Sequence, residues 1–174
     1  MEIVLLGYMG SGKSTIGKYL AKKLDLQFVD LDEYIEAKEN QSISNIFKEK
    51  GEIYFRFQEA TYLKEFITIN FNYVLALGGG TPCYADNTNS LKNSKAISFY
   101  LKATIPTLLQ RLENEKENRP LIVDLKPEEL TEFIGKHLFE RAPFYEQATS
   151  KISIDNKNPE EICLDIITQL EQIS

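Results

Sequence analysis

Gly7-Tyr8-Met9-Gly10-Ser11-Gly12-Lys13-Ser14 fills the pattern G-x-x-x-x-G-K-[ST], and Thr15 follows it. Glycines reach positive φ and carry no side chain, so the backbone here can wrap an anion with its N–H groups turned inward. Lys13 can bridge β- and γ-phosphates, and the Ser14 hydroxyl can sit on Mg²⁺. The pattern follows an apolar run, Ile3 to Leu6, and precedes Ile16, Leu20 and Leu24 at helical spacing. Strand, loop and helix in that order place a helix N-terminus, the positive end of its dipole, behind the phosphates. The competing account is a glycine turn between a strand and a helix, which does not require Lys and Ser in register after the last glycine. The stretch implies a nucleoside triphosphate and leaves the phosphoryl acceptor open.

Other chemistry-bearing residues lie downstream. Gln27-Phe-Val-Asp30-Leu-Asp32 reads as a strand ending in two carboxylates. Alternation puts Phe28, Asp30 and Asp32 on one side if the strand runs that far. At the carboxyl end of a strand, beside a triphosphate loop, they suit Mg²⁺ and a substrate hydroxyl. Either could instead simply cap the next helix. Arg56 and Glu59 lie three apart in a helical pattern and share a face, which spacing alone reads as a surface ion pair. Gly78-Gly79-Gly80 follows the apolar run Tyr73 to Leu77. Three glycines there suggest backbone held close to a ligand, with a loose turn as the alternative. The run Glu113 to Leu121 is charged with almost no apolar anchor. It is expected to be mobile, which makes residues 113–125 a candidate lid or a plain solvated loop. Arg119 would then reach the phosphates on closure.

The elements that must position these residues alternate along the chain. Strands are expected at Ile3–Leu6, Gln27–Asp32, Tyr73–Leu77, Ala96–Leu101 and Lys151–Ile154, with helical patterns between them. Ser42 can cap a helix carrying Ile43, Ile46 and Phe47, and Gly51 marks a break before a longer one through Leu63. Asn158, Pro159 and Glu161 read as cap, first turn and capping-box partner of the final helix. Its expected core face is Ile162, Leu164, Ile166, Ile167 and Leu170. The preceding helix carries Leu130, Phe133, Ile134, Leu138 and Phe139 as its apolar positions. This pattern specifies an α/β fold, a single domain over residues 1–174 with a central five-stranded parallel sheet flanked by helices.

Totals set the outer bounds. The 174 residues are 43% hydrophobic and 26% charged, ordinary for a globular domain. Net charge is −6, which argues against nucleic acid as the main partner. No apolar stretch approaches a membrane span, and the chain opens directly on a strand with no leader pattern, so a cytoplasmic protein is expected. Cys83 and Cys163 lack metal-type spacing and read as free thiols. His137, the single histidine, sits in a polar helical pattern, so a surface position is expected and histidine catalysis is not.

The whole arrangement resembles the shikimate kinases, a P-loop kinase family related to nucleoside monophosphate kinases. GYMGSGKST at 7–15, D-x-D at Asp30 and Asp32, F-R-x-x-E at 55–59, GGG at 78–80, RPL at 119–121 and ERAPFY at 140–145 occur in the family's order over essentially the full length. The resemblance implies transfer of a phosphoryl group from ATP to shikimate, with Mg²⁺, by a monomer. It implies an ATP site of Gly10, Ser11, Gly12, Lys13, Ser14, Thr15, Arg111, Arg119 and Asn156. Ser14 and Asp30 would hold the metal. Asp32, Phe47, Phe55, Arg56, Gly78, Gly79, Gly80 and Arg141 would hold shikimate, the two arginines clamping its carboxylate and the two phenylalanines walling its ring. Lys13, Asp32 and Arg119 would carry the chemistry, and Glu59 would orient Arg56. Residues 31–61 would form a helical substrate-binding region. Rivals are a gluconate or nucleotide kinase on the same scaffold, against which the paired arginines argue, and a nucleotide switch acting through a partner. Thr81-Pro82-Cys83 departs from the smaller residues many relatives carry after the glycines, and stiffening of that loop is the expected consequence.

Overall fold

The computed structural model describes residues 1–115 and 122–173. Strands β1 (Glu2–Leu6), β2 (Gln27–Asp30), β3 (Tyr73–Ala76), β4 (Ile97–Lys102) and β5 (Ser150–Ser153) form one parallel sheet in the order β2-β3-β1-β4-β5. β1 is central, with Ile3 opposite Val74 on one side and Ile97 on the other. Strands covered on both faces read as continuous apolar runs. Ile3, Val4 and Leu5, and Val74, Leu75 and Ala76 beside them, are accordingly buried.

Among the described residues, seven α-helices flank the sheet: α1 (Lys13–Leu24), α2 (Leu31–Glu39), α3 (Ile43–Ile69), α4 (Asn87–Lys92), α5 (Ile105–Glu115), α6 (Pro127–Tyr145) and α7 (Pro159–Ile173). Helix α1 buries Ile16, Leu20 and Ala21 and sits unusually close to the sheet at Gly17. A Cβ there would meet the Phe28 ring at 2.5 Å, so glycine sets the helix–sheet distance. In α3, Gly51 at φ 83° and ψ 172° interrupts the helical backbone where the sequence placed a break. Ser42 caps α3 through Asn45 N–H, and Asn158 and Glu161 form the reciprocal capping box of α7. Among the described residues, no helix is long and apolar enough to cross a membrane.

Several local expectations are corrected. β2 stops at Asp30, because its carboxylate accepts the Asp32 N–H at 3.0 Å and caps α2. Capping chemistry overrides the alternation that would have carried the strand to Asp32, which lies in the first helical turn. On α7, Leu164 is exposed and Cys163 is buried with Ile162, Ile166 and Leu170. On α6, Phe139 is exposed while Leu130 and Ile134 are buried. Both follow from the helical repeat, which turns these two residues away from the stripe that faces the sheet. β5 begins one residue earlier than expected, at Ser150, and ends at Ser153. Both cysteines are free.

Candidate active site

The carboxyl ends of β1, β2 and β3 open into one cleft of about 630 Å³. Ligands in open α/β sheets bind in such a crevice. Its lining includes Gly10, Gly12, Lys13, Ser14, Thr15, Asp30, Asp32, Gly78, Gly79 and Arg111. The structure therefore brings together two glycine runs 66 or more residues apart in sequence with the D-x-D pair.

The phosphate loop is built by backbone. Gly10 and Gly12 take positive φ, 81° and 85°, and Gly12 leads into α1. A Cβ on Gly10 would press on Leu112 at 3.0 Å. Lys13 Nζ donates to the carbonyls of Gly7 and Tyr8 at 2.9 and 3.1 Å, folding back over the loop it follows. Ser11 is buried, and its hydroxyl finds no partner among the described residues. Arg111 Nη1 reaches Gly10 O at 3.3 Å, so the α5 arginine braces this loop from outside.

Asp30 answers both sequence accounts at once. One oxygen caps α2, and the other accepts the Ser14 hydroxyl at 2.8 Å. A serine hydroxyl and a carboxylate side by side form an all-oxygen donor set that fits a hard divalent cation such as Mg²⁺. Asp32 faces the triglycine: a Cβ on Gly78 would lie 3.0 Å from its Oδ1. Burial, then the Asp30 and Glu59 carboxylates, push Asp32 from its ordinary 3.8 up to about 6, against the pull of Lys13 and Arg56.

Around the triglycine stand side chains from distant elements. Of the expected acceptor residues, Phe47, Phe55, Arg56, Gly80 and Arg141 are not among those lining this cleft, and Arg56 lines a neighbouring hollow with Tyr84. Arg56 Nη1 donates to Glu59 Oε2 at 2.9 Å, and its Nη2 lies within 2.9 Å of where a Gly80 Cβ would be. Tyr84 stacks on the Arg56 guanidinium, 4.1 Å from its ring centroid, with Phe55 at 5.1 Å on its own ring. Arg141 Nη1 would lie 3.6 Å from a Gly79 Cβ, and its guanidinium faces the Tyr8 ring. Arg56 and Arg141 thus flank one triglycine, whose missing side chains leave the room for both. Tyr145 is buried and donates its hydroxyl to Gly79 O, pinning the loop from α6. Phe47 and Phe55 stack on each other at 4.6 Å, with Phe55 buried in the core.

The model of the shikimate kinase family matches residues 9–171. A shikimate kinase of Flavobacterium johnsoniae is 48% identical over 95% of this chain and 96% of that protein. The chain belongs to the shikimate kinase family. Among solved structures, a Bacteroides thetaiotaomicron shikimate kinase superposes with a TM-score of 0.90 at 35% identity, covering 98% of each chain. An Acinetobacter baumannii shikimate kinase, solved in complex with shikimate, gives 0.87 at 32% identity over 99% of this chain and 94% of that one.

Within that family frame, the sequence placed most of the cleft. Lys157, Pro159 and Ile162 line its far end. Asn156 is not among the lining residues, although its positive φ of 56° shapes the loop that presents Lys157 and Pro159. Arg119, with Pro120, Leu121 and residues 116–118 of the expected lid, lies outside the described residues. Glu59 is 1% exposed, so its pair with Arg56 is no surface bridge. His137 is half-buried rather than on the surface, with its ring against Phe133 and Nδ1 3.5 Å from the Tyr8 hydroxyl. Sequence reasoning missed Tyr145, Tyr84 and Thr81. Only the departure of Thr81-Pro82-Cys83 from the family pattern hinted at the last.

Proposed function

We propose that the chain transfers the γ-phosphoryl group of ATP to a hydroxyl of shikimate, giving ADP and shikimate 3-phosphate. The observation that carries this reading is the placement of Asp32, Arg56 and Arg141 around the triglycine, directly beside the phosphate loop. A triphosphate loop alone would serve any P-loop enzyme. Two arginines facing one small-residue wall suit a compact acid, because guanidinium pairs carboxylate in a fork.

The residues divide the work as follows. The amides of the loop from Gly10 to Thr15 and the α1 N-terminus cradle the phosphates. Lys13 swings from its own loop carbonyls to the β- and γ-phosphates. Ser14 and Asp30 would hold Mg²⁺, which when bound neutralises phosphate charge. Asp32 accepts the hydrogen bond of the attacking hydroxyl and so aims it at phosphorus. Arg56 and Arg141 clamp the substrate carboxylate, with Gly78, Gly79 and Gly80 as the wall and Phe47 and Phe55 behind Arg56. Arg111 and the loop of Asn156 to Pro159 flank the nucleotide base. Arg119 joins the phosphates when the segment around 113–125 closes, and water is then excluded. A cytoplasmic monomer completes the reading.

The experiment is ADP release with Mg·ATP in the presence of shikimate, gluconate, a nucleoside monophosphate or no acceptor. Release that depends on shikimate supports the proposal. Release without an acceptor, or with gluconate alone, overturns the carboxylate clamp and leaves only the phosphate loop.

A further inference from the structure

The second oxygen of Glu59 is taken by the residue that follows the triglycine. Thr81 is fully buried, and its hydroxyl donates to Glu59 Oε1 at 2.6 Å. Glu59 Oε2 accepts from Arg56 at 2.9 Å. Thr81 itself is fixed on both sides. Its N–H donates to Gly78 O at 3.1 Å, and its carbonyl accepts from the buried amide of Asn87 at 2.8 Å. A buried relay, Asn87 to Thr81 to Glu59 to Arg56, thus runs from α4 through the end of the triglycine to the substrate arginine.

The consequence lies in how arginine and carboxylate prefer to pair. Left with both oxygens open, a buried carboxylate three residues from an arginine favours the two-point fork, which would occupy two of the guanidinium's donors. With Oε1 held by Thr81, Glu59 grips Arg56 at Nη1 alone. Among the described residues, Arg56 Nε is buried and makes no hydrogen bond, although it forms a 3.5 Å ion pair with Glu52 Oε1. Nη2 lies beside Gly80. The Nε–Nη2 edge is one of the two edges arginine offers to a carboxylate.

We propose that Thr81 is a positioning residue for substrate recognition: by occupying one oxygen of Glu59 it keeps the Arg56–Glu59 pair single-pointed and reserves Arg56 for the substrate carboxylate. The same hydroxyl ties the triglycine to that arginine, so loop and clamp move together. This rests on the reading of Arg56 as the shikimate carboxylate ligand.

The test compares Thr81→Val, which keeps shape and removes the hydroxyl, with Thr81→Ser, which keeps the hydroxyl. Losing one hydrogen bond to a buried carboxylate predicts a rise of about tenfold in shikimate KM for the valine variant, with ATP KM unchanged and kcat within about threefold. Thr81→Ser restores the shikimate KM to within about twofold of the parent. With the methyl ester of shikimate, which offers Arg56 no carboxylate, parent and valine variant have equal kcat/KM. Thr81→Ala carries the same test should the valine variant not fold. Arg56→Ala is measured alongside. An unchanged shikimate KM there defeats the parent reading. A raised KM there, with parent-like behaviour of Thr81→Val, defeats the positioning role alone. Parallel rises in the KM of ATP and shikimate would mark a merely structural residue and also overturn it.

Discussion

The two halves of the candidate site are built by different means. The phosphate half is mostly backbone and mostly local: eight consecutive residues, three positive-φ glycines, one helix start and one lysine folded onto its own loop. The acceptor half is mostly side chain and mostly non-local. Glu59 meets Thr81 across 22 positions, and Tyr145 meets Gly79 across 66. Phosphate is an invariant partner, so a short rigid motif suffices. A particular acid must be recognised by charge, spacing and fit, and that takes groups from several elements held by one another. Loss of a group in the first half should therefore damage turnover with either substrate. Loss in the second should register in the acceptor's KM.

The largest effect is expected at Lys13. Lys13→Ala removes the only side-chain cation of the loop itself, and kcat should fall by about 10³. A single-turnover measurement with saturating ATP checks it, and a change confined to shikimate KM would erase the division between the halves. Asp32 comes next and sits on the boundary. Its raised value of about 6 means that the folded protein near pH 5 holds a proton the unfolded chain has released. Stability therefore falls as pH rises from about 4 to 6, and the ionised group costs the fold about 3 kcal/mol at neutral pH. Activity needs the ionised form, so kcat/KM should climb through about pH 6 as stability declines. Asp32→Asn should lower kcat by about 10² while raising Tm at pH 7, and it should flatten both pH profiles. A lower Tm in this variant would show that the carboxylate is not a strained functional group.

This asymmetry also governs what could be read from the chain. The loop, the strand before it and the helix after it are contiguous, so their meaning survives without the rest of the fold. Asp30 was legible as a cap and as a metal-side carboxylate, and its two oxygens do one job each. The Arg56–Glu59 pair was visible in the spacing, but its burial was not, because the second partner of Glu59, Thr81, comes from outside the helix. Tyr145 lies within ERAPFY, and nothing near it in sequence announces Gly79 as its acceptor. Helix faces were misread where apolar residues exceeded the stripe. Phe139 and Leu164 are apolar and exposed, while Cys163 is buried in the place a larger residue was expected to fill.

Tyr145→Phe offers a smaller and more discriminating break. It removes only the hydroxyl that pins Gly79, leaving the ring stacked on Tyr100 at 5.1 Å. Gly79 then loses a buried donor, and Arg141 loses the backbone it lies against. Shikimate KM should rise about fivefold with ATP KM unchanged. An equal rise for both substrates would mean that the tyrosine supports the sheet end as a whole rather than the acceptor wall.

The smallest effect should come from the nucleotide edge of the cleft, where support is again local. Asn158 and Glu161 exchange side-chain and backbone hydrogen bonds at 3.0 and 2.8 Å, closing the first turn of α7 next to Pro159 and Lys157. Asn158→Ala opens that box and should cost about 1 kcal/mol. For a chain of this length that is a drop of about 2–4 °C in Tm. Lys157 is separately held by Asp165 at 2.7 Å, so the loop keeps its course and ATP KM should change by less than about twofold. Shikimate KM should not move, because no bond of this box reaches the triglycine. A shift in shikimate KM would require coupling from α7 to the acceptor wall through the sheet, and the two halves of the site would then be one mechanical unit.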